Sequence, residues 1–359
     1  QKYADRSHRK HFRNKFPTVC PSLMKASVRT GILGYTLSFT RNHPVPTIVK
    51  DDQIQILVSH AAINPVDYKL PRALFGPVFG IDVSGTVTKT GNDVATLKVG
   101  DKVFGRASSG SLAEYTISNE KELVKIPEDG WSFGDCAALP TAYLTGIQAL
   151  RTGGIVPQST VGIAAESQPG RSETKKSVVV IGASGGCGLA VVHLAKAMKV
   201  DRIIGICSGK NADYVKEAGA TDVIDYTDEE RLASFWSLEA GAIDCVVDCA
   251  TSSGAGENYT KQSMGVLKPK TGQLVALNGP ASTWIRKAIG KQRKQKSLIT
   301  TEANSDDLRS IISLLDSTST RPTVTCLPFT DEGVEEGFKM LKSRRVKGKV
   351  IFDVLGELK

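Results

Sequence analysis

Residues Ser177–Gly188 read SVVVIGASGGCG, a run of β-branched residues (Val178, Val179, Val180 and Ile181) that breaks into a glycine-rich turn. Such a run is the pattern of a strand buried on both faces of a parallel sheet, and the following LAVVHLAKAMK, residues 189–199, is an apolar helical run. Strand, glycine turn and helix in this order are what a dinucleotide site requires. The turn brings bare backbone N–H groups and a helix N-terminus against a pyrophosphate, and only glycine lets the backbone come so close. Parallel α/β proteins of other kinds also carry such turns, so the surroundings decide.

Outward from the turn, RIIGICS (202–208) is a second strand, and it ends at Ser208, 20 residues past Gly188. An NAD site places a carboxylate near this point, on the ribose hydroxyls. Here the chain reads Ser208, Gly209, Lys210, a hydroxyl and an ammonium that would hold a ribose phosphate, so NADPH is expected over NADH. KEAGATDVIDY (216–226) and AIDCVVDCA (242–250) continue the alternation of a doubly wound sheet. Within the second of these, Cys245 and Cys249 read as packed thiols.

Composition bounds the remainder. The chain has 359 residues, enough for two cores, with 40% hydrophobic and 23% charged residues, as in a water-soluble globular protein. No apolar run approaches the roughly 20 residues of a membrane span. Seven scattered cysteines include no CxxC pair, which argues for a reducing compartment and against a structural metal. The net charge of +9 is uneven, since residues 1–30 hold eight Lys and Arg against Asp5, or +7 of it. The body is nearly balanced, so nucleic-acid binding by it has little support. The basic extension, residues 1–23, lacks the apolar core of a secretory signal. It leaves open an organelle-targeting remnant (chloroplast or mitochondrion), a partner-binding arm and a solvated tail on a cytoplasmic protein.

In chain order, an alternating strand starts near Met24. DQIQILVSHAAINPVDYKL (52–70) is a half-buried antiparallel strand to Val58, then a helix-initiating NPVD. Residues 79–105 and 111–118 give short strands between glycine turns, the pattern of a small β-barrel. LPTAYLTGIQAL (139–150) is an apolar helix, and the polar segment 153–176 is a surface loop.

NPVDYK (64–69), residues 80–105 from GIDVSG to KVFG, LAEY, LPTAYLTGIQAL, GASGGCGLAVVHLAK and VKGKVIFDV (346–354) resemble, in order, the landmarks of the zinc-independent quinone oxidoreductase branch of the medium-chain dehydrogenase/reductase superfamily. The resemblance runs from Met24 to Val354. It implies an α/β protein with a GroES-like β-barrel catalytic domain (24–147 and 310–359) and a Rossmann domain (148–309), with NADPH in the cleft between them. The implied activity is hydride transfer to a quinone or an α,β-unsaturated carbonyl. A catalytically weak NADPH-binding component of a larger complex stays open as the other reading. A homodimer is compatible with the resemblance.

Zinc-dependent members carry a cysteine, a GHE segment and a four-cysteine lobe where this chain has NPVDYK, GIDVSG with Asp82, and RASSGS, so no zinc is expected. By resemblance Asn64 faces the nicotinamide, where it would donate to the substrate carbonyl. It would equally serve to cap the NPVD turn. Tyr68 would stack on a flat acceptor or protonate an enolate, and Lys69 would attract developing negative charge. For the cofactor, the turn Gly182, Ala183, Ser184, Gly185, Gly186, Cys187 and Gly188 is expected on the pyrophosphate, and Ser208, Lys210 and Tyr226 around the ribose phosphate. Thr141, Asn278 and Gly279 belong by resemblance to the nicotinamide end. Lys349 is either a cofactor contact or an edge-strand charge. Finally, the basic stretch IRKAIGKQRKQKS (285–297), with Trp284 beside it, reads as a solvated helix and loop. It also fits a segment that steers an acidic substrate or rests on a bilayer surface or a partner.

Overall fold

A computed structural model describes residues 21–30, 36–69, 76–156, 175–251, 258–292 and 294–356. Most of the basic extension, residues 157–174 of the expected surface loop, residues 70–75 after NPVDYK, and Arg293 lie outside the described residues.

The first lobe is built from β1 (Leu23–Thr30), β2 (Thr36–Pro44), β3 (Gln53–Ile63), the short helix α1 (Pro65–Lys69), β4 (Asp82–Thr90), β5 (Lys102–Arg106), β6 (Tyr115–Asn119), β7 (Leu123–Lys125), α2 (Phe133–Ala137) and α3 (Pro140–Thr152). The second lobe follows with β8 (Ser177–Ile181), α4 (Gly186–Ala197), β9 (Arg202–Cys207), α5 (Ala212–Ala218), β10 (Asp222–Asp225), α6 (Glu229–Leu238), β11 (Cys245–Asp248), α7 (Thr260–Val266), β12 (Gln273–Ala276), α8 (Ala281–Ala288), β13 (Lys296–Leu298) and α9 (Ser305–Ser317). The chain then returns to the first lobe through β14 (Val324–Pro328), α10 (Asp331–Lys342) and β15 (Lys349–Asp353).

The second lobe is a parallel sheet in the order β10-β9-β8-β11-β12-β13. β8 is buried throughout because both faces are covered. Val178 and Val180 join a core with α3, α4 and α9, while Val179 and Ile181 join Phe235 and Val266 on the other side. β9 and β11 flank β8, so the turn after β8 opens at the point where the strand order reverses, the crevice in which such sheets bind ligands. The expected domain joints at 147/148 and 309/310 fall inside α3 and α9, helices that pack into this same core.

In the first lobe the order is β14-β15-β3-β4-β5-β7, with β6 pairing β3, and the pairs are antiparallel except β14 with β15. β3 corrects the expectation of a half-buried strand ending at Val58. It runs to Ile63 and is buried on both faces, with Ile54, Ile56, Val58, Ala61 and Ile63 in one apolar cluster and Leu57 and Ala62 packed in others. The two lobes meet where Gly185 and Gly348 form an isolated parallel bridge.

Candidate active site

That bridge lies at the edge of a cleft of about 640 Å³ between the lobes, within the range of pockets that hold cofactors and substrates. One wall is the β8–α4 turn. Gly182 closes it at φ +78°, a left-handed conformation glycine adopts at no cost, and a Cβ on Gly188 would collide with the Gly182 carbonyl oxygen. Gly185 caps α4 without a side chain, so the first N–H groups of that helix are left for a ligand. Gly182, Ser184, Gly185, Gly186, Cys187 and Gly188 all line the cleft, whereas Ala183 is buried beneath the turn.

Beyond the turn the cleft reaches Ser208, Lys210 and Tyr226, the expected ribose-phosphate set. Two further residues stand there. Asn211 Nδ2 donates to Ser184 Oγ at 3.1 Å and Ser208 Oγ at 3.2 Å, tying the two loops together. Asp225, at the end of β10, also lines this end, a carboxylate that a spacing measured from Gly188 does not reveal. It accepts from Thr227 N at 2.9 Å and Thr227 Oγ1 at 2.8 Å, bonds that hold its pKa below the usual carboxylate range. Its charge is engaged by its own turn.

The opposite wall belongs to the first lobe. Asn64, Tyr68 and Lys69 line the cleft from α1 and its approach, and Lys349 lines it from β15. Lys349 is no edge-strand charge. β15 lies between β14 and β3, and the residue is buried with its ammonium 3.0 Å from the buried Asp82 carboxylate. A Cβ on Gly186 would press on the Lys349 stem, so the two walls touch at this point. Asn64 joins both partners: Nδ2 donates to Asp82 Oδ2 at 2.9 Å, and Oδ1 accepts from Lys349 Nζ. The Asn64 side chain does not cap the NPVD turn; the Asp67 carboxylate closes it instead, accepting from Asn64 N at 2.7 Å.

Thr141 is absent from the cleft lining, where its neighbour Ala142 stands. Its N–H and hydroxyl both donate to Asp82 Oδ1. Asn278 and Gly279 do not line the cleft either; Asn278 Oδ1 accepts from Gly279 N at the end of β12. Cys245 is a packed thiol as expected, but Cys249 faces the cleft with Cys187, and burial pushes both thiols up.

Electrostatics differ between the two α1 side chains. Burial raises the Tyr68 phenol against a lowering pull from Arg344, and lowers the Lys69 ammonium together with that same Arg344. Arg344 and Arg345 line the cleft from the segment after α10, and Lys342 Nζ stands 5.8 Å over the Tyr68 ring. The reasoning from sequence missed both arginines. Their signal was the SRRVKG run (343–348) immediately before the Lys349 strand.

Among the described residues no group of three or more His, Cys, Asp and Glu is placed to hold a metal ion. At the position where a zinc-dependent relative would have metal ligands, Asp82 has its two oxygens taken by Thr141, Asn64 and Lys349.

Comparison with known proteins agrees with this architecture. Residues 50–128 match the alcohol dehydrogenase GroES-like domain, and residues 218–352 match a family described as zinc-binding dehydrogenase. The 2-methylene-furan-3-one reductase of Solanum lycopersicum is 31% identical over 350 residues, which cover 92% of this chain and 79% of that protein. A chloroplast envelope quinone oxidoreductase homolog of Arabidopsis thaliana is 33% identical over 218 residues, 58% of this chain and 62% of that protein. Among solved structures, the quinone oxidoreductase of Coxiella burnetii superposes with a TM-score of 0.72 at 24% identity, over 92% of this chain and 99% of that one. With the two-lobed fold, the glycine turn and a relative of this extent in hand, the chain belongs to the quinone oxidoreductase branch of the medium-chain dehydrogenase/reductase superfamily.

Proposed function

We propose that this protein is an NADPH-dependent reductase that passes a hydride to a quinone or an α,β-unsaturated carbonyl without a catalytic metal. The observation that carries the reading is the cleft itself, with the glycine turn and Ser208, Lys210 and Tyr226 on one wall and Asn64, Tyr68 and Lys69 on the other. The residues fit the cofactor: bare N–H groups at the start of α4 suit a pyrophosphate, and a hydroxyl and an ammonium suit a ribose phosphate. When bound, the dihydronicotinamide supplies the hydride. The protein's share is position and charge. Asn64 offers an N–H to a carbonyl oxygen, Tyr68 a flat face, and Lys69 with Arg344 a positive field for the charge that develops there.

The tomato relative supports the enone side of this reading by its name, and the Arabidopsis relative supports the quinone side. The name of the latter also favours an organelle over the cytoplasm for this chain. The metal-free reading rests on Asp82, which is already committed to Lys349. A homodimer draws its support from β13, the last strand of the parallel sheet.

The test is NADPH oxidation against quinones, alkenals, long-chain enones and enoyl thioesters, with NADH in parallel. Turnover of one class with preference for NADPH is expected. NADPH binding with no acceptor reduced would overturn the enzyme reading in favour of a component of a larger complex.

A second reading concerns α8. Its inward residues are polar: Lys287 Nζ donates to the Leu298 carbonyl at 2.8 Å, and Thr283 lies against Gly279. Its apolar residues, Trp284, Ile285 and Ile289, are exposed beside Arg286, Lys291 and Lys294. An apolar face rimmed with cations complements an anionic lipid surface. Among the described residues no helix is long and apolar enough to cross a membrane, so the association would be peripheral. Co-sedimentation with phosphatidylglycerol vesicles is expected, and to be lost in W284A/I285A. Equal sedimentation of that variant would overturn this reading.

A further inference from the structure

The buried Asp82–Lys349 pair is placed to control a single side chain. Lys349 Nζ has three acceptors, Asp82 Oδ2 at 3.0 Å, the Ile63 carbonyl at 3.3 Å and Asn64 Oδ1. Asp82 in turn takes two bonds at each oxygen, from Thr141 N and Oγ1 at Oδ1 and from Asn64 Nδ2 and Lys349 at Oδ2. A charge pair removed from water this completely adds little stability over apolar residues of similar size, so a positional role accounts for it better.

Rotating the Asn64 amide by half a turn would set its NH2 against the ammonium and its oxygen against the carboxylate. The pair therefore discriminates between two orientations that are nearly identical in shape. In the orientation present, one amide proton is spent on Asp82, and the other has no acceptor among the described residues, on a residue that lines the cleft.

We propose that Asp82 and Lys349 are positioning residues that lock the Asn64 amide, so that Asn64 meets the acceptor's carbonyl oxygen as a hydrogen-bond donor and never as an acceptor. The inference rests on the reductase reading above. When the hydride forms a C–H bond at the conjugated carbon, the C=C electron pair shifts toward the carbonyl oxygen, and a proton from solvent completes the reduction. A fixed donor at that oxygen is worth most as the charge appears, and an amide free to flip would oppose it for part of the time. Lys349 also touches the cofactor turn, so the decisive readout must be at Asn64 itself.

The experiment uses the full chain labelled with 15N-asparagine, with the Asn64 side-chain resonances identified by their loss in N64A. The D82N/K349M variant removes both charges together and leaves none orphaned. In the wild type the two Asn64 amide protons should be widely separated in shift and slow to exchange. In D82N/K349M they should converge and exchange faster. With an enone that the wild type reduces, kcat should fall about tenfold to a hundredfold, less than the roughly hundredfold to thousandfold of losing an oxyanion donor outright, because the amide is freed and not removed. The KM for NADPH reports separately on the contact of Lys349 with the cofactor turn. In an N64A background the same two changes should cost almost nothing further.

Unchanged Asn64 resonances, or losses that add in full to that of N64A, would overturn the proposal. If D82N/K349M does not fold, Lys349→Arg, which keeps the charge but moves the donors, must shift the same resonances, and no shift is equally fatal. If the wild type reduces no acceptor at all, the reductase reading falls, while the resonances still decide whether the pair locks the amide.

Discussion

Asp67 is fully buried, and its Oδ1 has no hydrogen-bond partner. Burial pushes its pKa up to about 7; the Asn64 N–H pulls the other way and the Asp82 charge pushes further. The native state thus keeps a proton that the unfolded chain releases near pH 4, so the stability linked to this group falls as pH rises from about 4 through about 7. Asp67→Asn keeps an acceptor for Asn64 and cannot ionise. It should raise the melting temperature clearly at pH 8 and much less at pH 5, and equal gains at both would show that the charge is not the cause. At the other wall, Lys210→Ala removes a charge-assisted contact to a ribose phosphate. The ratio of NADPH to NADH kcat/KM should drop about tenfold, and an unchanged ratio would leave cofactor choice to Ser208 and Tyr226. Single residues differed in how far they could be read from the chain. Gly185 follows directly on β8, and Ser208 and Lys210 directly on β9, so their places follow from local geometry. Asp82 and Asp225 reach the site only because remote strands converge on it, whereas Asn211 follows directly on Lys210 and Arg344 stands in the basic SRRVKG run before β15.

At the scale of elements, α10 packs on β15 at Gly337, where a Cβ would meet the Phe352 ring. Gly337→Ala must push the helix outward, and with it the segment that carries Arg344 and Arg345 to the cleft. Urea unfolding should show a loss of about 1–3 kcal/mol, the usual cost of overpacking, and a loss near zero would mean that the helix has room to slide. Arg29 plays a comparable part from β1. Buried over the Phe79 ring, it donates to the Val78 carbonyl at 2.6 Å and to the Asp67 backbone carbonyl at 2.9 Å, so one side chain ties α1 to the 76–78 segment. α8 has no buried residue, as its reading as a solvated basic helix expects, and it turns Thr283 and Lys287 toward the protein, where Lys287 donates to the Leu298 carbonyl, leaving Trp284 and Ile285 outside.

Over the whole molecule, a cofactor that contacts both lobes stabilises them together. At about a hundredfold excess over its Kd, NADPH should add roughly 2.7 kcal/mol to the folded state and raise the melting temperature by a few degrees, and NADH at the same concentration should do less. A rise that is equal for both would contradict the roles given to Ser208 and Lys210. The lobes are also stitched without ligand: Trp131 Nε1 donates to Asp316 Oδ1 at 3.0 Å, and Arg321 stacks 4.0 Å over the Trp131 ring while its Nε donates to the Gly130 carbonyl at 2.8 Å. By itself the sequence determined the parallel sheet and the glycine turn, because strand periodicity and turn chemistry are local properties of the chain, while the two-lobed plan and the cleft places of Asn64, Tyr68 and Lys69 followed from its resemblance to a known family. Only the tertiary structure decided that Lys349 is buried against Asp82, that both hold Asn64, and that Thr141 serves that carboxylate from outside the cleft lining. Those partners stand 18, 59 and 267 or more residues apart. Their meeting is set by strand register and by the return of the chain through β15, which no local pattern encodes.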